Sequence, residues 1–103
     1  MAVSSSYFEF VVEQLAEIVP IRSRRMFGGV GIYGDGLFFA IIADDVLYFK
    51  VDDSNRPDYE RLGMAQFMNM QYYQLPADLL EDPDELGEWV EKSLAVAARK
   101  RSK

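Results

Sequence analysis

The apolar residues near the start of the chain recur every three or four positions, as they do on the buried side of a helix. This pattern covers residues 8–19, with glutamates on the opposite side. Ser6 and Glu9 have the spacing of a capping box, in which a serine and a glutamate satisfy the first backbone N–H groups. Pro20 follows, and proline disfavours helical geometry at the residue before it. We therefore expect a helix that begins at Ser6 and ends before Pro20.

The pattern becomes that of β-strands between residues 24 and 51. Three apolar runs occur there, at residues 26–33, 37–43 and 46–51. Short separators containing glycine and aspartate, typical of hairpin turns, connect them. Connections of this length join antiparallel neighbours, so the pattern predicts an antiparallel meander preceded by an arginine-rich connection.

The middle run of the meander is apolar at every position. Strict alternation would place Leu37, Phe39 and Ile41 on one face and the residues between them on the other. A strand that is apolar on both faces is typical of a sheet with both faces covered. We therefore expect two covered faces in this part of the molecule.

The second half of the chain predicts two more helices and a short strand region. Asp53, Ser54 and Asn55 precede Pro57 and predict a short helix that ends at Gly63. Residues 66–75 predict one or two short strands. The motif at residues 82–85 predicts the start of the last helix, with a cap, a proline and acids in the first turn. Its buried stripe is predicted to be Leu86, Trp89, Val90, Leu94 and Ala97.

These elements together predict an α+β fold with an antiparallel sheet of four to five strands, in the order α-β-β-β-α-β(β)-α. The chain has 103 residues, which suits one domain, here residues 1–103 with a basic tail at 99–103. No signal peptide and no apolar run of about 20 residues is present, so we expect a cytoplasmic protein.

The amino-acid composition excludes several kinds of catalytic and metal site. The sequence contains no cysteine and no histidine, which excludes thiolate nucleophiles, imidazole bases and zinc sites built from these residues. A hard cation could bind if acidic turn residues gathered at one end of the sheet. Such residues are usually solvated, so we predict no metal and no other cofactor. The residues concerned are Asp44, Asp45, Asp52 and Asp53.

Positive charge is concentrated in two places, although the net charge is −6. One cluster consists of Arg22, Arg24 and Arg25, and the second lies in the tail, with Arg99, Lys100, Arg101 and Lys103. The net charge opposes nucleic-acid binding. Contacts of these clusters with phosphates would give only weak, salt-sensitive affinity, so direct sequence-specific DNA binding is not expected.

The glycines at residues 28–34 include a G-x-G-x-x-G spacing. A dinucleotide site would need a strand before these glycines and a helix after them, whereas here a strand follows. A kinase-type loop would need a histidine-containing catalytic motif that the chain lacks. We predict that Gly28, Gly29 and Gly31 are structural, at positions where other groups approach the backbone closely.

Three segments resemble the TfoX N-terminal domain family, named for a bacterial competence regulator. They are "RRMFGGVGIYGDGLFFAIIADDVLYFKVDD", "YYQLP" and "LEDPDELGEWVEKSLAVAARK", and the similarity extends over residues 8–100. The resemblance implies a two-layer fold like that of secretion chaperones. It also implies a role in transcriptional regulation of DNA uptake, with a partner of the cyclic-AMP receptor protein type. The full-length regulators carry a second, C-terminal domain. The resemblance supplies no catalytic residues.

The leading hypothesis is a non-enzymatic protein-interaction domain linked to competence through a protein partner. The first alternative is weak nucleic-acid binding through the two basic clusters, and the second is an enzyme or a small-ligand binder. A homodimer is also expected, because two amphipathic helices would leave one apolar sheet face uncovered. The candidate interaction residues are Arg22, Arg24, Arg25, Tyr72 and Tyr73, where the two tyrosines should face opposite sides of a strand.

Overall fold

A computed structural model describes residues 3–26 and 28–101 of the chain, with the side chain of Arg101 left out. The described residues form three α-helices, one short 3₁₀ helix and an open five-stranded sheet. The elements are α1 (Ser5–Ala16), β1 (Ile21–Met26), β2 (Gly29–Gly34), β3 (Leu37–Ala43), β4 (Val46–Lys50), α2 (Arg56–Arg61), β5 (Tyr72–Gln74), the 3₁₀ helix (Ala77–Glu81) and α3 (Pro83–Arg101).

The strands lie in the sheet in their order along the chain, and each pairs antiparallel with the next. The short turns between them permit this arrangement and exclude crossovers. The predicted α+β class with an antiparallel sheet is therefore confirmed. The segment at residues 66–75 forms one strand, β5, and Gln66 makes a single bridge to Tyr73.

The structure contains a first strand, β1, that the predicted element order lacked. The arginine-rich segment that we expected to be a connection is β1, and the predicted run at residues 26–33 is divided between β1 and β2. Gly28 belongs to the turn between them, with φ at +78°, rather than to a strand. β1 lacks apolar alternation because it lies at the sheet edge, where residues 22–25 are all exposed.

Both ends of α1 differ from the prediction, and the helix ends at Ala16, before Ile18 and Val19 of the predicted pattern. Ser4, rather than Ser6, caps α1, and its hydroxyl accepts a hydrogen bond from the backbone N–H of Tyr7 at 3.3 Å. The backbone N–H of Ser4 in turn donates to the Asp45 carboxylate at 2.7 Å, which attaches the start of α1 to the β3–β4 turn. The cap of α3 is confirmed, since Asp82 accepts from the backbone of Glu85.

All three helices pack on one face of the sheet. α3 crosses β3 and β4, and α1 lies near β1 and the 3₁₀ helix. α2 joins this layer through an ion pair between Asp58 and Lys92, and through Tyr59, whose ring lies 4.7 Å from that of Trp89. None of the helices in the described ranges is long and apolar enough to cross a membrane.

The core lies between this helical layer and the sheet. A bulge in β3 opposite Ile32 and Tyr33 makes Phe39 an extra residue, so the predicted strict alternation is wrong there. Phe39 joins Ala40 and Ile42 in the core, and all three side chains are fully buried. The core face of the sheet is completed by Val30, Ile32, Leu47, Phe49 and Tyr73.

Candidate interaction surface

The face of the sheet that points away from the helices is called the open face below. Residues paired across antiparallel strands share a face, which places its side chains in three rows. The first row contains Arg22, Tyr33, Phe38, Lys50 and Tyr72. The second contains Arg24, Gly31, Ile41, Tyr48 and Gln74, and the third contains Met26, Gly29, Ala43 and Val46.

Apolar side chains of the open face remain partly exposed. Met26, Phe38, Ile41 and Tyr48 are half-buried, and none of them is among the residues that pack against the core. Phe67, in the loop before β5, covers part of Tyr48 with a ring-to-ring distance of 4.8 Å. The middle of the sheet is therefore apolar on both faces, and in the described chain the helices cover one of them, so cover of the second face stays a prediction.

Two adjoining depressions lie at the end of the open face nearest the β2–β3 turn. One has a volume of about 590 Å³ and the other about 390 Å³, and Tyr33 and Gly36 line both. The first is formed by β1 and β2, and the second is closed by the last turns of α3. We call the combined space the cationic groove, lined by Arg22, Arg24, Tyr33, Phe38, Lys50 and Lys100.

The aromatic rings of the cationic groove contact one another. Tyr33 stacks on Phe38 with 5.1 Å between ring centroids, and Phe38 lies 6.1 Å from Tyr72. The Lys50 ammonium lies 5.1 Å from the Phe38 centroid and 5.7 Å from that of Tyr72. Burial, together with the neighbouring Tyr33, raises the pKa of Tyr72 to about 12. The rings therefore form a packed hydrophobic floor under a positive charge.

The cations of the groove have no acidic partner in the part of the chain that the structure describes. No ion pair there involves Arg22, Arg24, Lys50 or Lys100, whereas both arginines of α2, and Lys92 and Arg99 of α3, pair with aspartates. Burial lowers the pKa of Lys50, and the positive charge of Lys100 lowers it further. The groove thus concentrates uncompensated positive charge in a protein whose net charge is −6.

Buried hydrogen bonds fix the end of β4 that carries Lys50. The Lys50 carbonyl accepts from Asn55 Nδ2 at 3.2 Å and from Ser93 Oγ at 3.0 Å. Both of these polar side chains are at most 1% exposed. Hydrogen bonds in such a buried setting are costly to break, so β4, the loop after it and α3 keep a defined geometry here.

An ion pair holds the C-terminal part of α3 against the same loop. Arg99 contacts Asp52 at 2.9 Å and donates to Ser54 at 2.8 Å. Burial opposes ionisation of the Asp52 carboxyl, but hydrogen bonds from Ser54 and Arg99 outweigh it and lower its pKa to about 2. Lys100 follows Arg99 directly in the helix and is thereby held at the groove.

The structure brings only some of the candidate residues together. Arg22 and Arg24 share the open face with Tyr72, which is 6% exposed. Arg25 pairs with Val30 and lies on the other face, and Tyr73 belongs to the core. The two tyrosines thus face opposite sides of β5, as expected. Whether any of these residues binds a partner stays a prediction.

The two predicted basic clusters meet in part at the groove. Arg22 and Arg24 come from the first, and Lys100 comes from the second. Arg99 is instead engaged with Asp52, and Lys103 lies outside the described residues. Sequence reasoning did not select Tyr33, Phe38 and Lys50, because an aromatic or lysine in an apolar run usually belongs to the core or its border. What these three residues have in common is that their side chains lie on the same face of the sheet, and only the register of the strands shows this.

The predicted structural glycines have close neighbours. A Cβ atom built on Gly29 would lie 2.5 Å from the carbonyl oxygen of Ile42, and one built on Gly31 would lie 2.6 Å from the terminal methyl of Met26. Gly28 has the positive φ that glycine adopts most easily. At positions 29 and 31 these short distances leave no room for a side chain unless a neighbouring group moves. The structural role itself stays a prediction.

The acidic turn residues do not gather at one end of the sheet. Asp44 and Asp45 lie before β4, whereas Asp52 and Asp53 lie beyond its other end. Within residues 3–26 and 28–101 there is no group of three or more acidic side chains arranged to hold a metal ion. Asp45 instead accepts from Ser4, and Asp52 and Asp53 pair with arginines.

No curated protein matches the chain. The family model of the TfoX N-terminal domain matches residues 13–97, which is most of the 103-residue chain and includes the sheet and most of α3. The match to this family supports a competence-related domain, and the family is not a known enzyme family. The chain belongs to the TfoX N-terminal domain family.

Proposed function

We propose that the chain is a non-enzymatic protein-interaction domain that acts in the transcriptional regulation of DNA uptake. Membership of the TfoX N-terminal domain family supports the link to competence. The observation that carries the proposal is the open face, where partly exposed apolar side chains lie beside one another and none of the described helices covers them. Contiguous apolar surface of this kind marks sites of protein–protein contact.

The distribution of charge divides the open face into two parts. The second and third rows are mostly apolar, with Ile41, Tyr48, Ala43 and Val46 near their centre. The first row carries the cationic groove. This division supports two contacts, in which the apolar rows bind a second copy of the chain and the groove binds a different protein. A transcription factor of the cyclic-AMP receptor protein type is the candidate for that protein.

Site-specific crosslinking tests the proposed partner contact. A photo-reactive phenylalanine analogue replaces Phe38 in the groove or, as a control, Leu62, which is 57% exposed beside α2. We expect crosslinking in bacterial lysate to capture a transcription factor from position 38 only, identified by mass spectrometry and reproduced with the purified factor. Capture of the same proteins from both positions, or of none from position 38, would contradict the proposal.

Light scattering tests the proposed homodimer. We expect a species of twice the 11.8 kDa chain mass at tens of micromolar, because a two-fold contact would bury the apolar rows. Ile41→Glu should convert it to the monomer, whereas Leu62→Glu should leave the dimer intact. A monomer mass that does not change on concentration would exclude self-association in this range.

A further inference from the structure

The outer edge of β1 is an exposed strand edge. β1 pairs with β2 on one side, and in the part of the chain that the structure describes no strand pairs with it on the other. Its residues from Arg22 to Arg25 are all exposed. Strand edges present backbone N–H and C=O groups that can pair with another extended segment. β1, six residues long, therefore offers a length of edge sufficient for one added strand.

The charges on β1 select the kind of segment that could pair there. Three of its six residues are arginines. Antiparallel pairing of β1 over its full length with β1 of a second copy would place Arg22 opposite Arg25 twice, and like charges in facing positions destabilise a strand pair. A segment with acidic side chains would instead gain ion pairs at the same positions. Charge complementarity thus favours an acidic partner over self-pairing at this edge.

The register of β1 adds a spacing requirement. Arg22 and Arg24 lie two residues apart on the open face and line the cationic groove. Neighbouring strands are about 4.8 Å apart, so acidic residues at alternate positions of an added strand would face these two guanidinium groups. Beyond them, Lys50 and Lys100 supply two more cations without acidic partners in the described chain.

We propose that β1 is the docking edge for an extended acidic segment of a protein partner. The segment adds a sixth strand, its alternate carboxylates pair with Arg22 and Arg24, and a carboxylate further along the segment, beyond the added strand, lies at Lys50 and Lys100. The proposal rests on the proposed function, since it names the chemistry of the partner that the groove binds.

The aromatic geometry favours an acidic peptide over single-stranded nucleic acid. Nucleic-acid bases bind by stacking on free aromatic faces. In the groove, Tyr33 and Phe38 stack on each other, and the Lys50 ammonium lies over Phe38 and Tyr72. A carboxylate needs no such face and can contact the lysine directly.

Synthetic peptides test the proposal with the unaltered protein. Fluorescence anisotropy at low salt compares a short labelled valine peptide with three glutamates at alternate positions, the alternating peptide, with one of the same composition whose glutamates stand four residues apart. We expect the alternating peptide to bind at least about tenfold more tightly, because only its carboxylates stand two residues apart on one face, which is the spacing of Arg22 and Arg24. Equal binding of the two peptides, or no binding of either, would overturn the proposal.

Backbone methylation distinguishes strand pairing from charge attraction alone. Successive amides of a strand point to opposite edges, so N-methyl groups on one alternate set block pairing and those on the other set do not. We expect one methylated peptide to lose binding by about tenfold or more and the other to retain it. Retention of binding by both would show that no strand is added and would overturn the proposal.

Substitutions locate the site and separate it from nucleic-acid binding. Arg22→Glu/Arg24→Glu should weaken binding at least about tenfold, whereas Arg61→Glu, an exposed arginine of α2, should not, with folding of each checked by circular dichroism. Tighter binding of a short oligothymidine than of the alternating peptide would overturn the proposal in favour of nucleic acid. If the peptides fail but position 38 still crosslinks a transcription factor, the acidic segment is wrong and the proposed function stands.

Discussion

Replacing Gly29 by alanine tests whether the glycines of β2 are needed for the fold. The added Cβ would lie 2.5 Å from the carbonyl oxygen of Ile42, and Cβ atoms essentially never come within 3.0 Å of such a neighbour. That oxygen belongs to the backbone of β3 and cannot rotate away as a side chain would. The two strands must therefore separate locally by at least about 0.5 Å, beside the pair formed by Val30 and Ile42.

The size of the effect follows from two contributions. Forcing an extra methyl group into a packed position typically costs about 1–3 kcal/mol. Weakening one backbone hydrogen bond of the ladder adds about 0.5–1.5 kcal/mol. We expect Gly29→Ala to lower the free energy of unfolding by about 1.5–4.5 kcal/mol, the sum of the two. Gly31→Ala should cost less than about 1 kcal/mol, because the nearest atom is the end of the flexible Met26 side chain.

Urea unfolding followed by circular dichroism and by the fluorescence of Trp89 measures these differences. Gly87→Ala is the matched control, since it lies inside α3 with no atom within 4 Å of the added Cβ. It should raise the free energy of unfolding by about 0.5–1 kcal/mol through helix propensity. Neutral surface substitutions change the free energy of unfolding by up to about 0.5 kcal/mol. A decrease smaller than this for Gly29→Ala would refute the argument that the close approach of Ile42 requires glycine. Micromolar ATP binding that Gly31→Ala abolishes without unfolding the protein would show a ligand role instead.

Three further substitutions test the surroundings of the site. The buried Tyr59 hydroxyl has no hydrogen-bond partner among the described residues, so Tyr59→Phe should leave thermal stability unchanged or raise it, and a loss above about 1 kcal/mol would contradict this. Arg99→Gln should cost about 0.5–1 kcal/mol at pH 7. Because the pKa of the Asp52 carboxyl is lowered to about 2, the stabilisation from this ion pair is present above about pH 4 and disappears as the pH falls towards 2. Denaturant titrations that gave the same cost for Arg99→Gln at pH 7 and at about pH 2 would contradict this. Lys100→Gln should raise the pKa of Lys50, measured by NMR titration of isotopically labelled lysines, and an unchanged pKa would show that the two charges do not interact.

The elements that the sequence predicted well are those whose periodicity arises from burial against a single layer. α3 is the clearest case, since Leu86, Val90 and Ala97 are all buried and Asp82 caps the helix as expected. β1 could not be found in the same way. Its edge position leaves the arginines in solvent, and backbone pairing with β2 forms this strand without an apolar pattern.

The faces of the sheet were also beyond sequence reasoning. Alternation fixes a face only while the register is unbroken, and the bulge at Phe39 shifts every later residue of β3 relative to β2. The shift leaves Phe38 on the open face and places Phe39 in the core. The composition of the groove depends on this register. Charge clustering could therefore identify Arg22 and Arg24, but it could not assign Lys50 and Phe38 to the same site.

The net charge of the chain is a poor guide to the charge that a partner meets at the groove. Seven acidic residues lie between Asp78 and Glu91, around the 3₁₀ helix and the first half of α3. The groove lies at the other end of α3, and the helix from Asp84 to Lys100 is about 24 Å long at about 1.5 Å per residue. At physiological salt, charges are screened over about 8 Å, so these acids contribute little field at Lys100. These seven acids, which hold much of the negative charge of the chain, therefore do little to oppose the binding of an acidic segment at the groove.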